Sequence, residues 1–403
     1  MHPRGRIGAS RTAARALAIT ALQRVQPTDP RGVFYSAFGG HFADNPRAIF
    51  EELSRRGEHR HTWRAAPQRR DDFPADLATV TPGERAHARA VASARHIVVN
   101  TWMPQPKPPG STWVQTWHGT PLKRIAFDKL SGLHPDTPKR FTTDVAKWDF
   151  LVSPNRFSTP LFRQAFRYEG PILETGYPRN DILNAPDREA VRERLRRALN
   201  IPDGARAILY APTWRDSMRR ADGRLVFPLP FDLARMEAQL GDGHVLLIRL
   251  HRGIADELGE LPAFARNLSA HPDIRELYLA ADILVTDYSS VMFDFAVTGK
   301  PMVFFTHDLA SYRDDLRGFY FDLEAEAPGP LASTEEELVA SIAEVDRDRA
   351  VFADRYAAFR GQFCTYDDGF AAQRVVDAVF GPEGPRTLQS APRPWRRRPT
   401  QPR

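Results

Sequence analysis

The feature that most constrains the fold is two series of short apolar segments, separated by longer stretches of helical character. Short apolar runs rich in β-branched residues, with amphipathic segments between them, are typical of buried parallel strands in βα units. The segments are residues 33–35, 96–99, 113–116, 150–152 and 172–173, followed by 207–210, 245–248, 283–285 and 302–305. The two series predict an α/β fold with two Rossmann-like domains.

The boundary between the two series falls near a typical connecting helix. Residues 188–199 are rich in Arg and Leu, and the turn residues 200–204 follow them. The chain is therefore divided into four predicted parts. They are a basic N-terminal segment (1–32), an N-terminal Rossmann-like domain (33–182), a C-terminal Rossmann-like domain (183–380) and a basic disordered tail (381–403).

The apolar segments share polar or small residues at their ends, as in TWHG from Thr116 and TDYSS from Thr286. Ligands of parallel α/β sheets bind outside the carboxyl ends of the strands, so two such edges facing each other would form a cleft. The sequence has no Gly-rich dinucleotide fingerprint, which argues against a nicotinamide or flavin enzyme. Its single cysteine, Cys364, excludes a disulfide framework and a cysteine-cluster metal site.

The net charge of +6 comes from the two ends of the chain. Ten arginines and no acidic residue lie in residues 1–28 and 387–403, which leaves 46 basic and 50 acidic residues elsewhere. Such ends suit an anionic membrane surface, with disordered solubilising ends as the alternative. The rest of the chain does not have the basic balance expected of a nucleic-acid-binding domain, so no nucleic-acid partner is predicted.

The sharpest motif is residues 116–123, TWHGTPLK. Gly119 would let backbone approach a ligand closely, and Thr120 would cap a following helix with Pro121 at its first position. The N–H groups of that helix would face an anion, with His118 beside it. A neutral imidazole there could accept a proton from an attacking hydroxyl. A His–Gly turn with a capping threonine is the alternative.

A second motif, residues 286–290, follows a predicted strand of the second series. Ser289 and Ser290 precede a predicted helix over 291–297, so their hydroxyls could bind phosphate oxygens, although an ordinary serine cap has the same pattern. His251 follows the strand at 245–250 and could face the cleft or lie in a solvated loop.

Two further predicted strands end beside arginines, in residues 177–181 (YPRND) and 212–215 (PTWR). Arginine suits bidentate phosphate contacts, and structural ion pairs are the alternative. The sequence has no His-Glu-x-x-His helix and no cysteine cluster, so no protein metal site is predicted. A Mg²⁺ ion bridging substrate phosphates would need few protein ligands and stays compatible.

Taken in order, these segments resemble the CDP-glycerol glycerophosphotransferase family of teichoic acid synthesis. Any one motif is weak, but the ordered set is highly specific, and a weaker similarity extends from about residue 45 to residue 374. The matching segments are 116–123 (TWHGTPLK), 176–181 (GYPRND), 209–215 (LYAPTWR), 250–251 (LH), 286–290 (TDYSS) and 317–320 (RGFY).

The resemblance implies a GT-B fold, in which two Rossmann-like domains face a central cleft. The first domain (33–182) would then bind the acceptor and the second (183–380) the CDP-activated donor. It implies transfer of a polyol phosphate, above all glycerol phosphate, from CDP-glycerol or another CDP-polyol to a hydroxyl, with release of CMP. The implied acceptor is a lipid-linked saccharide or polyol phosphate, and the implied location is peripheral, on the cytoplasmic face of the cell membrane. No cofactor is obligatory, and Mg²⁺ could accompany the donor phosphates.

The resemblance also maps the family's two histidines onto His118 and His251 as catalytic residues. The substrate-binding residues that it implies are Gly119, Thr120, Lys123, Arg179, Asn180, Asp181, Thr213, Arg215, Thr286, Ser289, Ser290, Arg317 and Gly318. Two alternatives remain at this point. One is a GT-B glycosyltransferase that uses a nucleotide sugar, and the other is a non-catalytic binding protein with the same fold.

Overall fold

A computed structural model describes Ala21 and residues 26–129, 137–213, 228–250, 258–309 and 318–381. These residues form two parallel β-sheets with helices on both faces. The predicted site residues Arg215, His251 and Arg317 lie outside the described residues, as do the predicted C-terminal tail after residue 381 and most of the basic N-terminal segment.

The first domain contains a seven-stranded sheet whose described strand pairs are all parallel. Its strands are β1 (Asp29–Ser36), β2 (Arg60–Arg64), β3 (Thr79–Val80), β4 (Ala94–Val99), β5 (Thr112–Gln115), β6 (Phe150–Ser153) and β7 (Ile172–Glu174). Its helices are α1 (Asp44–Arg56), α2 (Arg85–Ser93), α3 (Thr137–Val145) and α4 (Ser158–Phe166), with 3₁₀ helices at Pro67–Asp72, Ala126–Asp128 and Pro178–Asn184. The strand order is β3-β2-β1-β4-β5-β6-β7.

The second domain contains a six-stranded parallel sheet in the order β10-β9-β8-β11-β12-β13. Its strands are β8 (Arg206–Tyr210), β9 (His244–Ile248), β10 (Ala265–Asn267), β11 (Ile283–Thr286), β12 (Met302–Phe305) and β13 (Leu331–Ala332). The helices from here to the C-terminal end are α5 (Arg188–Ala198), α6 (Leu233–Leu240), α7 (Ile274–Ala280), α8 (Val291–Ala296), α9 (Leu323–Glu326), α10 (Glu335–Ala343), α11 (Val345–Val351), α12 (Ala353–Phe363) and α13 (Ala371–Phe380).

In both sheets the first strand of the domain lies next to the fourth, so β1 neighbours β4 and β8 neighbours β11. This is the doubly wound order of a Rossmann fold. The predicted architecture of two Rossmann-like domains is confirmed, and all nine predicted apolar segments coincide with strands. Strands β2, β3, β10 and β13 were not predicted. They are short or polar, and β2 (RHTWR) has a single buried side chain, Trp63, so neither length nor hydrophobic pattern marks them.

Each sheet is buried because alternate side chains of its central strands enter separate apolar layers. In β1, Val33 and Tyr35 pack in one layer while Phe34 packs in the layer on the opposite face. In β8, Leu209 and Tyr210 divide in the same way between the two layers of the second domain. Burial on both faces explains why these segments are continuously apolar rather than alternating.

The last helix returns to the first domain. Val375, Val376 and Val379 of α13 pack in the same apolar layer as β1 and α1. The sequence-based boundary placed residues 183–380 together in the second domain, and the structure differs for α13. The physical reason is the apolar face of α13, which covers side chains of the first sheet rather than those of the second.

Three histidines lie close together in the first domain. His61 of β2 and His96 of β4 flank Val33 on either side of β1, and the His59 ring is 6.2 Å from that of His96. Burial lowers the pKa of His61 to about 4 and that of His96 to about 3. Both imidazoles are therefore neutral in the folded protein near pH 7.

We expect acid to destabilise the protein through these buried histidines. The unfolded chain takes up protons near pH 6.5, whereas folded His96 does so only near pH 3, so the free energy of unfolding should fall as the pH drops from about 6.5. His96→Phe should reduce that fall, because one neutral buried imidazole is removed. Denaturant unfolding of the wild type and of His96→Phe at pH 7.5 and pH 5 measures how steeply the free energy of unfolding falls with pH in each protein. Equal slopes in the two proteins would contradict the assignment.

Candidate active site

A cleft of about 920 Å³ lies between the two domains, at the carboxyl ends of both sheets. The first domain lines it with loops that follow β1, β4 and β5, including Phe38 and His118. The second domain lines it with loops that follow β8, β9 and β11, including Thr213 and Ser290. The loops after β1 and β4, and after β8 and β11, lie where the strand order reverses, which is where ligands of such sheets bind.

His118 has a fixed orientation in this cleft. Its Nδ1 lies 2.6 Å from the backbone oxygen of Asn100, which follows β4. Because a carbonyl oxygen only accepts, Nδ1 carries the proton and Nε2 keeps its lone pair. The Trp117 ring stacks on the imidazole at 4.3 Å, and Phe38 approaches it edge-on at 5.6 Å. The geometry therefore leaves Nε2 as the nitrogen available to a substrate.

The surroundings of His118 favour its neutral form. Burial lowers its pKa below the usual 6.5, and the positive charge of Arg179 acts in the same direction. The hydrogen bond to Asn100 and the negative charge of Asp44 oppose this shift without cancelling it. At neutral pH the imidazole is therefore unprotonated at Nε2, the state that a general base requires.

The two best motifs of the sequence touch each other across the domain boundary. Gly119 packs so closely on the loop before α8 that an added Cβ would lie 2.8 Å from Oγ of Ser290. The backbone N–H of Gly119 donates to the Tyr177 hydroxyl at 3.1 Å. A glycine is needed here because any side chain would push Ser290 away, so the His118 loop and the serine pair form one site.

Ser289 and Ser290 are half-buried and line the cleft. Ser290 immediately precedes α8, yet its side chain makes no capping hydrogen bond. The alternative of an ordinary serine cap therefore does not hold for Ser290. The neighbouring residues fasten this loop to the loop after β8, since Thr286 donates to the Ala211 carbonyl at 2.8 Å and Asp287 accepts from the Thr213 N–H at 2.7 Å.

Arg179 joins the two domains beside His118. Its Nη1 donates to Asp44 at 2.7 Å and to the backbone oxygen of His118 at 2.9 Å, while its Nη2 donates to Asp294 of α8 at 2.6 Å. Burial alone would lower the pKa of Arg179, but Asp294 and Asp44 raise it well above its usual value. The guanidinium is thus a buried cation with two carboxylate partners.

Asn180 extends the same network. Its Nδ2 donates to Asp294 at 3.1 Å and to Asp367 at 3.0 Å. Asp181 contacts a different element, α13. Its carboxylate accepts from the backbone N–H groups of Ala371 and Ala372 and so caps the start of that helix. The predicted binding residues 179–181 therefore have protein partners for their side chains, and Arg179 alone of the three lines the cleft.

The predicted helix after Thr120 is wrong. Thr120 is buried and accepts from Asn155, and residues 122–125 are not helical. This segment instead pairs with the second domain, because Tyr320 donates its N–H to Leu122 at 2.8 Å and Lys123 forms an antiparallel bridge with Phe319. Its backbone groups are used between the domains and cannot form a helix that would face an anion.

The predicted site residues divide into three groups. Those that line the cleft are His118, Lys123, Arg179, Thr213, Ser289 and Ser290. Those that support its walls are Gly119, Thr120, Asn180, Asp181, Thr286 and Gly318, whose carbonyl accepts from the Arg124 N–H at 3.2 Å. His251, Arg215 and Arg317 lie outside the described residues, although Leu250, the residue before His251, lines the cleft.

Three residues that hold His118 or Arg179 in place were missed in the sequence. Asn100 follows β4 directly, so it could have been predicted as a site residue from the observation that polar residues follow the apolar segments. Asp44 begins α1 and Asp294 lies inside α8, and no local pattern marks either one as a partner of Arg179.

Three of the six non-glycine residues with a left-handed backbone in the described segments lie at this cleft. Phe38, Asp44 and Trp117 have left-handed φ values of 44°, 66° and 53°, respectively. Such conformations are costly for residues other than glycine and persist where the surrounding structure fixes them, often at functional sites. Phe38 and Asp44 line the cleft, and the Trp117 ring stacks on His118.

Neither a cluster of metal-ligating side chains nor a membrane-spanning helix occurs in the described segments. They contain no group of three or more His, Cys, Asp or Glu side chains that could hold a metal ion. Within the same segments, no helix is both long and apolar enough to cross a bilayer.

A family model described as CDP-glycerol:poly(glycerophosphate) glycerophosphotransferase matches residues 18–381. The chain belongs to this family. The family predicted from the ordered motifs is thereby confirmed, together with the prediction that the chain is a transferase of the CDP-glycerol glycerophosphotransferase type.

Two curated relatives carry related names. The chain is 39% identical over 371 residues to the teichoic acid poly(glycerol phosphate) polymerase of Bacillus subtilis (strain 168), covering 89% of this chain and 50% of that protein. It is 37% identical over 358 residues to the teichoic acid glycerol-phosphate transferase of Staphylococcus aureus (strain NCTC 8325 / PS 47), covering 86% of this chain and 92% of that protein. The chain thus spans about half of the first relative's length.

The fold is shared with a solved structure of the wall teichoic acid polymerase TagF. The TM-score is 0.83 at 34% identity, and the match covers 93% of this chain and 94% of that chain. The predicted GT-B-like architecture of this glycerophosphotransferase family member is confirmed by that similarity and by the two sheets around one cleft.

The contact between Gly119 and Ser290 yields a test of the site. Gly119→Ala should lower turnover in the family reaction by about 10- to 100-fold, because the added methyl group displaces Ser290 from its place opposite His118. Gly361→Ala is the matched control, since its Cβ would meet nothing within 4 Å, and it should keep full activity. Steady-state rates measure both. Full activity in Gly119→Ala would show that the close contact is not needed.

Proposed function

We propose that this chain transfers glycerol phosphate from CDP-glycerol to a terminal hydroxyl of a growing polyol-phosphate acceptor, with release of CMP. The observation that carries the proposal is the meeting of His118, with Nε2 unprotonated, and the Ser289–Ser290 hydroxyls in one cleft between the domains. Family membership supplies the donor class, and the two relatives described above are named for glycerol phosphate.

In the proposed reaction the acceptor hydroxyl attacks the phosphorus that carries glycerol. The new oxygen–phosphorus bond forms as the bond to the CMP oxygen breaks, and the proton of the attacking hydroxyl passes to Nε2 of His118. The stacked Trp117 ring and the Asn100 carbonyl hold the imidazole for this transfer. Phosphoryl transfer depends mainly on positioning and charge stabilisation, and the side chains that line this cleft from both domains supply both.

The donor phosphates lie, in this proposal, against the second domain. The hydroxyls of Ser289 and Ser290 donate to phosphate oxygens, and Lys123 places a cation on the opposite wall of the cleft. His251, Arg215 and Arg317 complete the donor site as the family resemblance implies. No obligatory cofactor is part of the proposal, and a Mg²⁺ ion would bind mainly through the donor's own phosphates.

The acceptor is proposed to be lipid-linked and the enzyme to act peripherally at the cytoplasmic membrane face. The arginines of residues 1–28 and 387–403 support this proposal, because juxtamembrane cations gain about 1 kcal/mol each near an anionic leaflet. An acceptor that stays in the membrane would then meet an enzyme already held at its surface.

His118→Asn tests the proposed base. Turnover should fall about 10²- to 10⁴-fold while the KM for CDP-glycerol changes little, because the variant lacks the proton acceptor but keeps the donor site. Release of CMP in the presence of a lipid-linked acceptor measures the turnover of both proteins.

In the wild type the rate of CMP release should decline on acidification only below pH 6.5, since the pKa of His118 is lowered and its neutral form is the active one.

The contrasting variant is Ser289→Ala combined with Ser290→Ala, which should raise the KM for CDP-glycerol more than it lowers turnover. CDP-ribitol and UDP-sugars serve as alternative donors in the same assay. Release of UDP instead of CMP would favour a GT-B glycosyltransferase. No nucleotide release from any donor would favour a binding protein, and full activity of His118→Asn would remove the base assignment.

Deleting residues 387–403 tests the membrane proposal. The truncated protein should bind vesicles of anionic phospholipid about 10-fold or more weakly than the full chain, because five arginines are removed. Co-sedimentation at low and high salt measures the binding, and its loss in high salt is expected for a charge-driven contact. Unchanged binding would place the membrane contact elsewhere.

A further inference from the structure

Phe38 has two unfavourable features at the mouth of the active-site cleft. The residue is 44% exposed, one of four large apolar residues exposed in the part of the chain that the structure describes. Its backbone is left-handed, with a φ of 44°. Exposed aromatic surface and a left-handed non-glycine residue both cost stability, so their combination at a site points to a function.

The position of Phe38 relative to His118 is fixed by one buried residue. The Phe38 N–H donates to Oδ1 of Asn100 at 2.8 Å, and the backbone oxygen of Asn100 binds Nδ1 of His118 at 2.6 Å. Gly40 anchors the following turn, because an added Cβ would lie 2.4 Å from the Ala66 nitrogen. The Phe38 ring is therefore held at 5.6 Å from the imidazole by the framework that orients the base.

In the proposed reaction the acceptor comes close to this ring. An acceptor hydroxyl that gives its proton to Nε2 must come within hydrogen-bond distance of His118. Trp117 covers one face of the imidazole and Asn100 takes Nδ1, so the carbon chain that bears the hydroxyl approaches from the cleft, which Phe38 also lines. Ser289 and Ser290, against which the donor phosphates are proposed to lie, belong to the second domain.

We infer that Phe38 is an acceptor-specificity residue: its exposed ring packs on the carbon skeleton of the acceptor's terminal polyol and excludes water from Nε2 of His118. This inference rests on the proposed function and deepens it. Without the ring, water can replace the acceptor. A water oxygen then attacks the phosphorus that carries glycerol, the bond to CMP breaks, and the water proton passes to Nε2, giving free glycerol phosphate and CMP.

Phe38→Gly is the decisive variant, because glycine adopts a positive φ without strain. We expect its thermal midpoint to stay within about 3 °C of the wild type, as the loss of ring contacts is offset by relief of backbone strain. The acceptor KM should rise about 5- to 10-fold, the KM for CDP-glycerol should change less than 2-fold (about the noise of such a comparison), and the share of CMP released by hydrolysis should rise several-fold.

Two further variants separate a specific role from a general one. Phe38→Leu keeps apolar cover and should restore most of the acceptor affinity and suppress hydrolysis. Phe370→Gly is the matched control, because Phe370 is 59% exposed and does not line the cleft. It should leave the acceptor KM and the hydrolysis share unchanged.

The outcomes distinguish this inference from the proposed function beneath it. If the wild type releases no CMP from CDP-glycerol, the proposed function fails. If the wild type is active but Phe38→Gly keeps its acceptor KM and hydrolysis share, the inference alone is overturned. A thermal midpoint lowered well beyond 3 °C in Phe38→Gly, with an unchanged acceptor KM in Phe38→Leu and Phe38→Gly, would make Phe38 a structural residue and also overturn it.

Discussion

The buried ion pairs of Arg179 are the constraint on which the rest of the site depends. One guanidinium contacts Asp44 and the His118 carbonyl of the first domain and Asp294 of α8 in the second. A buried charge is tolerated only with close partners, and removing one partner of such a pair typically costs about 3–5 kcal/mol. The network therefore permits a narrow range of domain positions, those in which the His118 loop lies against the start of α8.

The two domains that Arg179 joins contribute different groups to the cleft. The first domain provides an oriented neutral imidazole, because Asn100 takes Nδ1 and burial lowers the pKa. The second provides the two serine hydroxyls, which are fastened to the loop after β8 through Asp287. Gly119 allows the two halves to touch. Each domain is a common Rossmann-like unit, and the site exists only where their strand edges face each other.

The sequence predicted the sheets better than it predicted the site. Segments such as 207–210 are continuously apolar because both faces of the sheet are covered, and that signal is local. The motif around His118 was also visible locally, and so was the serine pair. The helix predicted after Thr120 failed because residues 122–125 pair with residues 318–320, nearly two hundred positions away. Local propensity contains no information about such a partner.

The sequence by itself determined the α/β class, the two series of strands, the family and the identity of His118 as the candidate base. Only the tertiary structure decided that Arg179 holds the domains together, that Asp181 caps α13, and that Phe38 is kept exposed beside the imidazole. The physical reason is one of range. Hydrophobic periodicity and turn chemistry act between neighbours in the chain, whereas ion pairs and ring contacts depend on which distant segments the packing of the two sheets brings together.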